Sequence, residues 1–135
     1  MKFLGGIGAV ILILLVGTGI AEEKKMYKAV VDKDGIQRVK IQAGSYYFDP
    51  NYIVVKVNVP VEITIKKDAE IIAHDLVISA PEAGMDVKEP LSSKTREIKF
   101  TPTKTGKYPF YCDKKFLLSE SHREKGMKGT IEVTE

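Results

Sequence analysis

Cysteine is almost missing from this chain: 135 residues contain one, Cys112. A lone thiol excludes an internal disulfide and leaves three roles, namely an inert buried side chain, a reactive group or a ligand. Histidine is nearly as scarce, with His74 and His122 the only two. No block of basic residues occurs, and the net charge is only +3, or +2 (20 basic minus 18 acidic residues) without the segment that carries Lys2. That balance excludes nucleic acid as a partner. The chain shows no internal repeat, no low-complexity segment and no sustained helical spacing of apolar residues. At 135 residues it holds one domain with a real core and is too short for two.

The one long apolar run is N-terminal. Met1-Lys2 begins it, Phe3 to Val16 is apolar, and the small-x-small stretch Gly19-Ile20-Ala21 precedes Glu22-Glu23-Lys24-Lys25. This pattern fits an export signal cleaved after Ala21. The 18 uncharged residues from Phe3 to Ile20 also reach the lower limit for a spanning helix, so a retained anchor is the second reading. Both place the remainder outside the cytoplasm, in the periplasm or on an outer surface, with a membrane tether if the segment is kept. The expected organisation is a signal or anchor over 1–21, a linker over 22–28 and one domain over 29–135.

That domain reads as strands. Ile53, Val55, Val57 and Val59 alternate with polar partners; after Pro60, Val61, Ile63 and Ile65 alternate with Glu62, Thr64 and Lys66. Period two with one apolar face is the signature of a half-buried strand. Weaker signals cover Ile36 to Ala43, Ile71 to Ser79, Thr95 to Phe100, Tyr108 to Cys112 and Met127 to Val133. Asp34-Gly35, Asp49-Pro50, Pro81 to Gly84, Pro102 and Gly106 separate them. Seven to eight short strands in this length predict an all-β Greek-key sandwich.

Alternation also tests the rare side chains. His74 falls in phase with Ile72, Leu76 and Ile78; Cys112 with Tyr108 and Phe110; Met127 with Gly129, Ile131 and Val133. Three residues from three strands are thus expected to point inward at or near strand ends. Singly, His74, Cys112 and Met127 read as core, and His122, among charged residues, as surface. Jointly, one thiol, two imidazoles and a thioether form the donor set of a mononuclear copper electron-transfer site. Structural zinc would take a fourth strong donor in place of Met, and a dinuclear copper centre would need a second thiolate. Copper requires deprotonated Cys112 and neutral histidines, so binding is expected to weaken in acid.

At these residues the chain resembles the cupredoxins, the small blue-copper proteins. Tyr47-Phe48-Asp49-Pro50 with Ile53-Val54-Val55 is similar to the opening strands of cupredoxin domains related to cytochrome oxidase subunit II. His74-Asp75-Leu76-Val77-Ile78 resembles the strand that carries the first histidine ligand. Phe100-Thr101-Pro102 through Gly106-Lys107-Tyr108-Pro109-Phe110-Tyr111-Cys112 resembles the strand leading to the thiolate, and Met127 to Val133 the final strand. The resemblance implies His74, Cys112 and His122 as equatorial ligands of one Cu(I)/Cu(II) ion and Met127 as a weak axial ligand. It implies an electron carrier rather than a catalyst, serving redox proteins such as respiratory-chain components.

One departure from the family pattern is the interval from Cys112 to His122, where nine residues replace the usual two to four. The expectation is a bulge, Asp113 to Ser121, that leaves the ligands in place. Glu120 and Glu124 are then solvated charges or, less simply, extra oxygen ligands, and Asp75 ties the ligand loops together by hydrogen bonds. The apolar triplet Phe116-Leu117-Leu118 is either a lid on the end of the core or a docking patch for a redox partner. Two other functions stay open: periplasmic copper trafficking or storage, for which Met26 and Met85 are the only spare thioethers after the N-terminal segment, and a red-copper catalytic site with an open coordination position.

Overall fold

The computed structural model describes residues 23–135, and the signal or anchor expected over 1–21 lies outside them. Among the described residues no helix is long and apolar enough to cross a membrane. Ten strands follow one another: β1 (Met26–Lys28), β2 (Gln37–Gly44), β3 (Tyr47–Asp49), β4 (Tyr52–Lys56), β5 (Val61–Lys67), β6 (Asp75–Ala80), β7 (Met85–Pro90), β8 (Arg96–Phe100), β9 (Gly106–Tyr111) and β10 (Lys128–Thr134). One sheet has the order β1-β4-β10-β9-β6-β7, the other β3-β2-β5-β8. The chain passes repeatedly between the two, which encloses the core between their inner faces.

The all-β class is as expected, and among the described residues the strand count is ten rather than seven or eight. The additional strands are those with the least apolar pattern. Met26–Lys28 lies in the expected linker, yet pairs in parallel with Tyr52–Val54, and all three of its residues are exposed. In β7 only Met85 is fully buried, so backbone pairing with β6 defines it. The strand expected from Ile71 begins only at Asp75, leaving Ile72 outside β6 and half-buried.

The clearest alternation produces the clearest strand. In β5, Val61, Ile63 and Ile65 are buried while Glu62 and Thr64 are not. They meet Val39 and Ile41 of β2 and, from the other sheet, Ile53, Val55, Ile131 and Val133 in one cluster. The Phe48 and Phe110 rings pack edge to face, 5.2 Å between centroids, an arrangement that aromatic quadrupoles favour. Buried Gln37 is fully engaged there: its amide donates to Lys56 O (2.8 Å) and Val59 O (3.1 Å) and accepts from Lys56 N–H (2.9 Å). It clamps the start of β2 to the turn that follows β4.

Pairing register sets the position of the site. Tyr111, the last residue of β9, pairs with Lys128 at the start of β10 and with Val77 near the start of β6. The residues just beyond these strand ends, Cys112, Met127 and His74, therefore meet at one end of the sandwich.

Gly129, two residues into β10, is required there by contact. A Cβ at this position would meet the Phe110 ring and Asn51 O at 2.5 Å, neither of which can retreat without moving the core. Gly129→Ala is expected to destabilise the fold by about 1–3 kcal/mol, read as a lowered urea midpoint at unchanged m-value.

Candidate metal centre

His74, Cys112 and His122 come together, all buried, with their donor atoms within 4.8 Å of one another. The two Nδ1 atoms are 3.1 Å apart, and Cys112 Sγ is 3.5 Å from His122 Nδ1. An ion bonded to nitrogen at about 2.0 Å and to sulfur at about 2.3 Å needs donors this close, so the cluster can hold one metal ion. Met127 is buried beside it.

Backbone bonds lace the four residues together. Cys112 N–H donates to Met127 O (3.1 Å), Met127 N–H to His122 O (3.0 Å) and His122 N–H to Lys114 O (2.8 Å). On the β6 side, Asp75 N–H points at Cys112 Sγ (3.4 Å), and the Asp75 carboxylate accepts from Asp113 N–H (2.8 Å). Asp75 thus joins the loop of the first histidine to that of the thiol, as its place in the sequence suggested. Burial pushes its carboxyl above the ordinary range, and nearby Asp113 adds to the effect.

The nine-residue insertion folds on itself. Lys115 and Ser121 pair as an antiparallel bridge at its base, and Ser119 N–H closes a turn onto Phe116 O (3.0 Å). His122 therefore returns beside Cys112 despite the long path. The lid reading is overturned: Phe116 (72%), Leu117 (77%) and Leu118 (100%) are exposed, so the triplet is not packed onto the end of the core. Glu120 and Glu124 are likewise exposed, as solvated charges are.

The acid that does reach the cluster is Glu70, which pattern reading overlooked. Its Oε1 lies 2.6 Å from His74 Nε2, and its Oε2 accepts from the Ser45 hydroxyl at 2.7 Å. That hydroxyl, then His74, holds the Glu70 carboxyl below its usual range, with burial opposing. With Nε2 engaged by Glu70, Nδ1 is the His74 nitrogen that faces His122 and the thiol. A Glu four residues before a buried His was the available signal, hidden because Glu70 sits in a loop without periodicity. Tyr46 is the other neighbour not anticipated: its ring lies against His122, 4.8 Å between centroids.

Burial acts in opposite senses on two of the donors, readying His122 for a metal and holding the proton on Cys112. Burial lowers the pKa of His122, and His74 and Lys125 add to this, so its ring is neutral at neutral pH. Burial pushes the Cys112 thiol up to about 11, partly offset by the Asp75 and Lys114 N–H groups. The metal-free thiol is thus protonated, and metal binding must release its proton.

A cupredoxin-like domain model matches residues 8–133, and the chain belongs to that family. No curated protein matches it. Among solved structures, the metal-binding domain of the Cu(I)-exporting P-type ATPase CopA of Streptococcus pneumoniae superposes with a TM-score of 0.63 at 24% identity, covering 84% of this chain and 99% of that one. Dithionite-reduced auracyanin of Roseiflexus castenholzii gives 0.56 at 21% identity, covering 73% and 97%. The periplasmic domain of cytochrome oxidase subunit II of Bradyrhizobium japonicum gives 0.54 at 19%, covering 73% and 83%. These likenesses establish the shared fold.

The raised thiol pKa has a consequence for the metal-free protein. A group whose folded pKa exceeds its unfolded value stabilises the fold below the unfolded value and loses that contribution as pH rises through the folded one. Apo-protein stability is therefore expected to fall between about pH 9 and about pH 11, with a shallower fall in Cys112→Ser. Thermal midpoints of both proteins across that range check it; equal slopes would remove Cys112 as the cause.

Proposed function

We propose that this chain is an exported mononuclear copper protein that carries single electrons between redox partners. His74, Cys112 and His122 serve as the strong ligands and Met127 as a weak fourth. The observation that supports this reading most directly is the buried triangle of two Nδ1 atoms and one Sγ, all within 4.8 Å. Soft sulfur with imidazole suits copper, and when bound the copper supplies one-electron exchange between Cu(I) and Cu(II).

The protein's part is to hold the donors still. Glu70 orients His74, Asp75 N–H and the Met127 carbonyl fix Cys112, and the Met127 N–H fixes His122. A site whose ligands are pinned by strand ends reorganises little when an electron moves. Burial of all three donors suits a carrier better than a red-copper catalyst with an open position. Export to the periplasm or another extracytoplasmic space follows from the apolar run over 3–20 and agrees with the periplasmic oxidase domain that shares the fold. Respiratory-chain components are the partner class this implies.

Copper trafficking is the second reading, because the CopA domain with Cu(I) shares the fold across 84% of this chain. Spectra of the purified copper protein separate the possibilities. An intense blue or green band with reversible voltammetry identifies a carrier, a colourless tight Cu(I) complex a trafficking protein, and a red centre with exchangeable water a catalyst.

Cys112→Ser is expected to abolish the strong thiolate-to-copper band, whereas Met127→Leu keeps the colour and shifts the reduction potential; survival of the band in Cys112→Ser would overturn the ligand assignment. Glu70→Gln is expected to keep the fold and lower copper affinity roughly 10–100-fold, measured by competition with a chelator.

A further inference from the structure

The end of the sandwich that carries the candidate centre also carries an apolar surface that the fold leaves uncovered. Ile71 from one loop and Phe116, Leu117 and Leu118 from the long loop are exposed there. Ile71 and Phe116 line a cleft that reaches His122, and its charged lining is Lys114, Lys115 and Lys125, with no carboxylate. A neighbouring cleft at the same end is lined by Lys24, Arg123 and Lys128, again without a carboxylate. Asp113 and Glu120 are the acids on the long loop itself, Asp113 being paired with Lys88 (3.0 Å), and Glu124 follows His122.

Three cations at this end lie over tyrosine rings: Lys24 over Tyr52 (3.8 Å), Arg123 over Tyr111 (4.1 Å) and Lys125 over Tyr46 (4.6 Å). Protruding aliphatic side chains ringed by amphipathic aromatics and cations match the layering of a bilayer surface, where tails, interfacial rings and anionic headgroups follow in order. A contiguous exposed apolar patch marks a protein or membrane contact. Several like-charged lysines disfavour a second copy of this chain as its cover.

Chain direction selects the membrane. Asn51 and Tyr52 N–H both donate to Lys25 O (3.1 Å each), Met26 pairs with Tyr52, and Tyr52 pairs with Thr130. Lys24 is therefore level with Lys128 and Tyr111, one residue short of Met127 and Cys112. The sequence before Glu23, whose residues 3–20 are uncharged and largely apolar, joins the domain at the end that bears the loop and the centre. Any membrane tether in that segment brings this end toward the lipid and turns the opposite end away.

We infer that the face formed by Ile71, Phe116, Leu117 and Leu118 with Lys114, Lys115 and Lys125 docks on an anionic lipid surface, seating the tip of the long loop among the headgroups. The inference is independent of which metal, if any, the cluster holds.

The chain contains no tryptophan, so Leu118→Trp, at a fully exposed position, provides a single fluorescent reporter. The full chain carrying Leu118→Trp is mixed with vesicles of phosphatidylcholine alone or with phosphatidylglycerol, with and without brominated acyl chains. The reporter is expected to shift to the blue and be quenched by brominated lipid in the anionic vesicles, and less so in neutral ones or at high salt. Val30→Trp, an exposed site beyond the far end of β1, is expected to stay in water. Lys114→Gln and Lys115→Gln should each lower the inserted-to-free ratio of the loop about fivefold. A Leu118→Trp reporter that stays in water while the chain sediments with anionic vesicles would overturn the inference, as would equal quenching at the two positions. A reporter indifferent to lipid but shielded by an added redox protein would overturn it too and assign the face to a protein partner.

Discussion

Three polar donors, two imidazoles and a thiol, lie buried within 4.8 Å of one another, and the end of the sandwich around them is organised to make that tolerable. An unpartnered buried polar group costs on the order of 1–3 kcal/mol. Here each donor is attached to something that fixes it: His74 to Glu70, Cys112 to Asp75 and Met127, His122 to Lys114 and Met127. Most of these tethers are backbone groups at strand termini, whose N–H and C=O have no ladder partner of their own. Apart from the Asp75 N–H that points at Sγ, these bonds satisfy backbone groups and position the donors without hydrogen-bonding to them.

The cluster was legible because its residues are rare. With a single thiol and only two imidazoles, few constellations exist, and strand phase brought three of the four members to one side. β5 was legible for the converse reason, being a run of β-branched residues on one face. What escaped has few apolar atoms to betray it. β1 and β7 are held by pairing more than by burial. Gln37 reads as a solvated polar residue until the turn it bonds is known. Glu70 and Ser45 act on His74 from loops separated by 25 residues in the chain, a distance no local pattern spans. The long loop was visible as an irregularity in spacing; that its three apolar residues face solvent depends on the bridge at its base, which the sequence does not announce.

The two sides of the centre are built differently. On the β6 and β9 side, Asp75 opens β6 and Cys112 follows directly on β9. On the loop side, His122 is supported by the Tyr46 ring and by turns over 121–127. Lys125, over that same Tyr46 ring, links surface charge to the packing around His122. Contact at this surface can therefore be felt by one imidazole without disturbing the sheet.

The bridge between Lys115 and Ser121 works as a collar. Inside it, Lys114 O receives His122 N–H and geometry is dictated by the donors; outside it, five residues project with no duty to the interior. Evolution can lengthen, shorten or recolour that projection without retuning the centre. Exchange of the tip alone would give the same donor cluster a new address, which makes it the natural place to engineer what this protein recognises.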